Sequence, residues 1–238
     1  MQDAVIVLAD ISGYTRFIKL HGMALAHAES IITELLESII DHTEHPLTLN
    51  KLEGDAALFY ALTDSNPQAV AESVLRQVNG FFHAFGTRKQ EIGVDALCNC
   101  GGCTEAVHLN IKVVVNFGSV VVRRVRQFEE ISGTSVIVAH RLLKNSVPLD
   151  EYVLLAEDFE HILGDAPPGG TRVTEQCEGI GAVSASYYPP KPYVVQPPAP
   201  NLKRCILLVN NALSYMAKKH VQRLFGFAPK RKFRNFTS

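Results

Sequence analysis

Residues 4–15, AVIVLADISGYT, decide how the chain reads. Ala4 to Ala9 is a run of mostly apolar residues that predicts a buried strand and is too short for a helical pattern. The strand ends at Asp10, and Ile11-Ser12-Gly13-Tyr14-Thr15 then turns the chain into a helix. A carboxylate at the carboxyl end of a strand, followed by a glycine turn and a helix start, suits metal-bound phosphate. Asp10 can hold a hard cation through oxygen while the free amides of the helix start face phosphate oxygens. Taken alone, Asp10 reads as a helix cap. A second acidic turn, Glu53-Gly54-Asp55, follows forty-five residues after Asp10 and favours the metal reading.

Outward from that stretch, Ala24–His42 places Ala28, Ile31, Ile32, Leu35, Leu36, Ile39 and Ile40 at helical spacing, with Glu29, Glu34 and Glu37 mostly off the stripe. This predicts an amphipathic helix packed on a sheet. Leu47–Leu52 and Ala56–Leu62 flank Glu53-Gly54-Asp55 and predict a β-hairpin. Pro67–Phe85 predicts a second amphipathic helix, capped by Ser65 or Asn66 with Pro67 in its first turn. After a Gly/Cys-rich loop, the β-branched runs Leu109–Val115 and Ser119–Val125 are expected to form another hairpin through Asn116-Phe117-Gly118. Thr134–Lys144 predicts a third helix, and Tyr152–Leu155 a strand followed by a short helix. Pro167–Pro200 reads as loop, edge strand and linker, and Asn201–Phe225 as helix again. The order predicts an α+β domain, an elaborated ferredoxin-like antiparallel sheet with helices on one face and a C-terminal helical extension. The expected division is 1–165 for the domain, 166–200 for loop and linker, and 201–238 for a basic helix and tail. In such a sheet the strands carrying Asp10 and Asp55 are neighbours, so the two carboxylates can converge on one point and bind two Mg²⁺ ions. One ion would activate an attacking hydroxyl, and the other would neutralise a polyphosphate leaving group.

Four stretches carry a family resemblance. Asp10-Ile11-Ser12-Gly13-Tyr14-Thr15 resembles the first metal motif of class III nucleotidyl cyclases, D-I-x-G-F-T, and Lys51-Leu52-Glu53-Gly54-Asp55 resembles their K-x-x-G-D. Val115–Val120 is similar to a diverged form of the later hairpin, and Gly133–Leu142, GTSVIVAHRL, is similar to the helix G-x-x-V-N-x-A-x-R-L. The resemblance covers residues 1 to about 160, in the family's order, and points to a bacterial branch of cyclase-homology domains with a Cys-rich loop before the hairpin.

The resemblance implies conversion of a nucleoside triphosphate to a 3′,5′-cyclic nucleotide and pyrophosphate by two Mg²⁺ or Mn²⁺ ions at a homodimer interface. It implies that Asp10 and Asp55, with the Ile11 carbonyl, bind metal and that the amides of Gly13, Tyr14 and Thr15 hold phosphates. Lys51 would read the base together with Glu130, or with Glu129 if the register slips by one. Arg141 would stabilise transition-state charge, and Arg124 and Arg126 are candidates for contacts to pyrophosphate. Metal ligands would come from one protomer, Lys51 and Arg141 from its mate. One position departs: Ile137 stands where the family has a ribose-orienting asparagine, and an apolar side chain cannot donate that hydrogen bond. The resemblance therefore leaves an alternative, a catalytically silent module for nucleotide or protein binding.

Composition bounds the rest. At 238 residues, 47% hydrophobic and 20% charged, the chain can bury a real core. The acidic start Met1-Gln2-Asp3 leads straight into a strand and is no signal peptide. Five cysteines, three of them crowded, argue against a secreted disulfide framework, so a cytoplasmic setting is expected. From Lys203 onward there are nine Lys or Arg and no Asp or Glu, which leaves 14 basic against 24 acidic residues before it, net −10. That tail predicts a basic-faced helix packed on the domain or its mate, or one lying on an anionic membrane surface. Lys230–Arg234 lacks an aromatic stacking platform, so nucleic acid is not expected as a partner. Cys98, Cys100 and Cys103 could ligate Zn²⁺ with His108 or Cys177 as a fourth ligand, or form a reduced tight loop. The remaining histidines show no ligand spacing, and Ser12 and Ser132 lack a local partner that would make a nucleophile.

Overall fold

The computed structural model describes residues 1–20, 25–63, 66–94, 105–193 and 195. The expected Cys98–Cys103 loop and the basic segment from 201 onward lie outside the described residues. The elements are β1 (Gln2–Ser12), α1 (Tyr14–Leu20), α2 (Leu25–Ile40), β2 (Thr48–Glu53), β3 (Ala56–Leu62), α3 (Pro67–Val94), β4 (Asn110–Val125), β5 (Phe128–Ser132), α4 (Thr134–Leu142), β6 (Tyr152–Ala156), α5 (Glu157–Leu163), β7 (Thr171–Cys177) and β8 (Gly181–Tyr188). Among the described residues eight strands form a sheet in the order β2-β3-β1-β4-β6-β8-β7, with β5 paired to β4. Every pairing is antiparallel except β4 with β6. This is the α+β architecture expected.

β1 lies in the interior of the sheet, and Ala4 through Ala9 are fully buried. Such a strand reads as a continuous apolar run because both of its faces are covered. Val5, Val7, Ala9 and Ile11 join α2, α3 and α5 in the larger core cluster through Leu35, Ile39, Phe81, Phe82, Phe85 and Phe159. Fully burying one such side chain contributes on the order of 1.5–3 kcal/mol. Ala4, Ile6 and Leu8 point the other way and meet Val136, Ala139 and Leu142 of α4. Helices thus cover both faces, and the expected single-faced layer gains α4 on the second. The cause is the alternation itself: an interior strand apolar in both registers needs two covers.

Three segment boundaries differ from expectation. Asn110–Val125 is one sixteen-residue strand rather than a hairpin through Asn116-Phe117-Gly118. Asn116 and Gly118 are there for α4, not for a turn. Asn116 Nδ2 donates to Ser135 O at 2.8 Å, and a Cβ at Gly118 would lie 2.2 Å from Ser135 Oγ. The chain reverses instead at Arg126-Gln127, where Arg126 has φ 57°, so that Val125 faces Phe128. β1 pairs β4 only as far as Val120, so Val121–Val125 and β5 extend as a two-stranded arm.

α3 runs to Val94, past the expected end at Phe85. At Gly86, just past that expected end, the missing side chain makes room for Tyr193, whose ring would lie 2.6 Å from a Cβ there. At the helix start Asn66 is the cap, accepting the Ala69 N–H at 3.1 Å. The stretch expected as loop, edge strand and linker does hold an edge strand, β7. It also holds β8, which joins β7 to β6 and so extends the sheet beyond residue 165.

Candidate functional site

Asp10 is a half-buried position near the carboxyl end of β1, in the same register as Ala4, Ile6 and Leu8. It sits opposite Ala56 on β3 and Lys112 on β4. Asp55 follows Gly54 in the β2–β3 turn, where Gly54 adopts φ 69°, a left-handed conformation that favours glycine. The Ile11 N–H donates to the Asp55 carbonyl at 3.2 Å, which pins the hairpin tip to the end of β1. The Asp10 charge thereby acts on the Asp55 carboxylate. Burial, and next the Asp10 charge, push the Asp55 carboxyl up to about 6, while a backbone hydrogen bond and the Lys112 ammonium pull the other way. Two carboxylates forced together in a partly desolvated place are what a bound cation relieves.

Lys112 was not anticipated from sequence. Its ammonium lies 3.0 Å from Asp10 Oδ2. The available signal was an ionic side chain in the β-branched run Ile111–Val115: a lysine at an inward strand position needs a partner, and the antiparallel register supplies Asp10.

Past Asp10, Gly13 (φ 92°) turns the chain into α1, and Phe17 N–H closes the first helical bond to Gly13 O at 2.9 Å. The first amides of a helix have no intrahelical acceptor, which is the condition the expected phosphate contacts of Gly13, Tyr14 and Thr15 need. The Tyr14 hydroxyl itself donates to Glu29 Oε1 at 3.0 Å and points to α2. A cleft of about 580 Å³ opens beside this turn, lined by Ser12, Gly13, Arg16, His108, Asn110 and Asp150 among others.

A second polar cluster forms where β2 meets β5 and α4. Lys51 Nζ donates to Glu130 Oε2 at 2.8 Å and lies 3.6 Å from Glu53 Oε1. The bond to Glu130 raises the Lys51 ammonium. Glu129, the alternative in a slipped register, is engaged elsewhere: it accepts from the Tyr60 hydroxyl, and its carbonyl accepts from Asn50 Nδ2 at 2.9 Å. Burial and that carboxylate push the Tyr60 phenol up to about 12. Glu53 also faces His140 Nδ1 at 3.5 Å, so Glu53 and His140 join a cluster in which sequence reasoning saw only Lys51 and Glu130.

Other expected site residues are not gathered in the protomer. Arg141, on α4, is half-buried and faces the exposed Glu178 Oε2 at 3.5 Å. Arg124 and Arg126 lie at the tip of the β4–β5 arm, with Arg124 Nε donating to Arg126 O at 3.1 Å. Arg124 is twelve positions beyond Lys112 on β4, which is on the order of 40 Å of strand. Their pairing partner β5 nonetheless packs back over the sheet, where Glu129 and Glu130 reach Asn50, Tyr60 and Lys51. Ile137 is half exposed on α4, one turn before Arg141. Among the described residues no cluster of three or more His, Cys, Asp or Glu could hold a metal, and no helix is long and apolar enough to cross a membrane.

Solved structures share this fold. The adenylyl cyclase CyaB from P. aeruginosa is 13% identical, with 83% of this chain and 97% of that one covered at a TM-score of 0.56. The guanylyl cyclase Cya2 is 17% identical, with 83% and 98% covered at 0.60. An adenylate cyclase from Trypanosoma brucei is 14% identical, with 79% and 89% covered at 0.52. At such identities the likeness is one of fold. In sequence, the chain is 35% identical over 159 residues to the uncharacterized protein Rv2561/Rv2562 of Mycobacterium tuberculosis, covering 66% of this chain and 72% of that protein. Residues 32–152, half the chain, match the family described as "Protein of unknown function (DUF2652)", and the chain belongs to that family.

Proposed function

We propose that the protein is a class III nucleotidyl cyclase-like enzyme that converts a nucleoside triphosphate to a 3′,5′-cyclic nucleotide and pyrophosphate at a homodimer interface. The observation that carries this reading is the placement of Asp10 and Asp55 at one end of β1 beside a glycine turn and helix start, on a fold shared with adenylyl and guanylyl cyclases. The donor set fits Mg²⁺ or Mn²⁺: two carboxylates and the Ile11 carbonyl are hard oxygens, too few to complete a shell without substrate phosphate and water. Such ions, when bound, supply Lewis acidity at the 3′-hydroxyl and the polyphosphate.

The chain's own residues divide the remaining tasks. The amides of Gly13, Tyr14 and Thr15 hold phosphate oxygens. Lys51 offers a donor beside the Glu130 acceptor, which complements a base carrying a ring acceptor next to an amino group. As the 3′-oxygen bonds to the α-phosphorus and the bond to the β-phosphate oxygen breaks, the Arg141 guanidinium of the mate stabilises the charge on the equatorial oxygens. Arg124 and Arg126 on the arm are candidates for contacts to the leaving pyrophosphate. Exposed Val121, Val125, Phe128 and Ile137 on the arm and α4 support a mate seated there.

The test is turnover of each of the four ribonucleoside triphosphates with Mn²⁺, with cyclic product read by mass spectrometry and the Asp10→Ala, Asp55→Ala double variant as control. Product that disappears in the control supports the enzyme and names its base. Absence of product in a folded dimer that still binds metal leaves the silent module, the reading that Ile137 favours.

A further inference from the structure

Lys112 touches both halves of the candidate site. Its ammonium contacts Asp10 Oδ2 at 3.0 Å and donates to Leu143 O at 3.2 Å, the carbonyl immediately after α4. One charge thus spans from β1, which carries the acidic pair, to the end of the helix that carries Ile137, His140 and Arg141. The side chain is only about one-fifth exposed, 22%, so both contacts are made in a place where water screens them incompletely. The neighbouring strand does not compete for it. Tyr152 stands beside Lys112 in the parallel β4–β6 register, and its hydroxyl donates instead to Asn145 Oδ1 at 2.9 Å.

An ammonium and a divalent cation cannot both sit on Asp10 without strong repulsion. The helix carbonyl offers the lysine somewhere to stay, because the C-terminal end of a helix carries partial negative charge and favours a cation. Resting on the reading of Asp10 and Asp55 as cation ligands, we propose that Lys112 is a positioning residue: a built-in counter-cation that a metal must displace from Asp10, and whose retreat to the Leu143 carbonyl links loading of the acidic pair to the seat of α4. One of the two acidic charges then stays countered when the pair is empty, and the chain binds divalent cation less tightly than two converging carboxylates would alone.

The experiment is Mn²⁺ binding to the intact protein at low ionic strength, followed by electron paramagnetic resonance of the free ion, with no nucleotide present. Lys112→Met keeps the apolar stem, and Lys112→Gln keeps a donor for the Leu143 carbonyl without the charge. Both are expected to bind Mn²⁺ about tenfold more tightly than the wild type, and Lys112→Arg to return to wild-type affinity. If the Met variant does not fold, the Gln and Arg variants decide alone. Unchanged or weaker binding in the uncharged variants, beside a wild type whose binding is lost in Asp10→Ala, overturns the counter-cation role and leaves the metal site standing. Wild-type binding that survives Asp10→Ala with Asp55→Ala overturns the metal site itself, and the role of Lys112 with it.

Discussion

On one face of the sheet Leu35, Ile39, Phe81, Phe82 and Phe85 are sealed under two long helices, with Arg88 clamped between Glu34 of α2 and Glu91 of its own helix at the rim. On the other face the nine-residue α4 leaves Ile137 50% and Phe128 61% exposed. The ionic side chains Asp10, Lys112, Lys51, Glu130, Glu53 and His140 gather there. The first face has the depth to carry the stability of the domain. The second is thin and wet enough at its margin to hold charges that a deep core would reject, and it offers apolar surface that a single chain does not cover. Apolar depth and ionic side chains thus lie on opposite sides of one sheet.

The contrast is open to breaking, most strongly through the core. Phe81→Ala is expected to cost about 3–5 kcal/mol, whereas Ile137→Ala should stay within about 0.5 kcal/mol. Chemical denaturation of the two variants compares the faces directly, and similar costs would dissolve the distinction. Next in size is Ile137→Asn. If the second face is a nucleotide site, restoring a ribose donor should raise cyclic product formation about tenfold, the equivalent of one hydrogen bond to a polar partner, with the melting temperature unmoved.

The fourth variant, Asp55→Asn, asks whether the second face trades stability for charge. The folded carboxyl of Asp55 is raised to about 6, above its unfolded value. Its contribution to stability is therefore fully present below about pH 4 and is lost as the pH rises through about 6. At about pH 7.5 the ionised group is a burden. Asn at that position should raise stability by about 1 kcal/mol, after allowing for partial exposure, and change nothing at about pH 4. Thermal melts at the two values decide it. A stabilisation that persists in acid would mean that the crowding of Asp10 and Asp55 is not its source.

The first face was legible because its signals are periodic. Ala28, Ile31, Ile32, Leu35, Leu36 and Ile39 lie at helical spacing and are all buried. The β2–β3 turn was legible because Gly54 needs its positive φ. What misled was chemistry serving a distant partner. The helix expected to end at Phe85 runs on through Gly86, a seat for Tyr193, while Asn116 and Gly118 read as a turn and are the bed of α4. On the second face, Lys51 and Glu130 were paired through the family resemblance alone, and the contact is present. Lys112 could not be singled out, since its meaning depends on the strand register that sets it opposite Asp10. The hairpin β7–β8 was hidden by the prolines around it.

β4 outruns the strand beside it. From Ile111 to Ser119 its amides lie beside β1, and from Val121 to Val125 they are paired, among the described residues, with β5 alone. A two-stranded ribbon is marginal in water, while a ladder inside the sheet opens only when the domain does. A single continuous strand therefore keeps two clocks: deuterium enters its far end quickly and its near end at the pace of global unfolding. A second copy of the chain, settling on the arm, would set both clocks to the slower time.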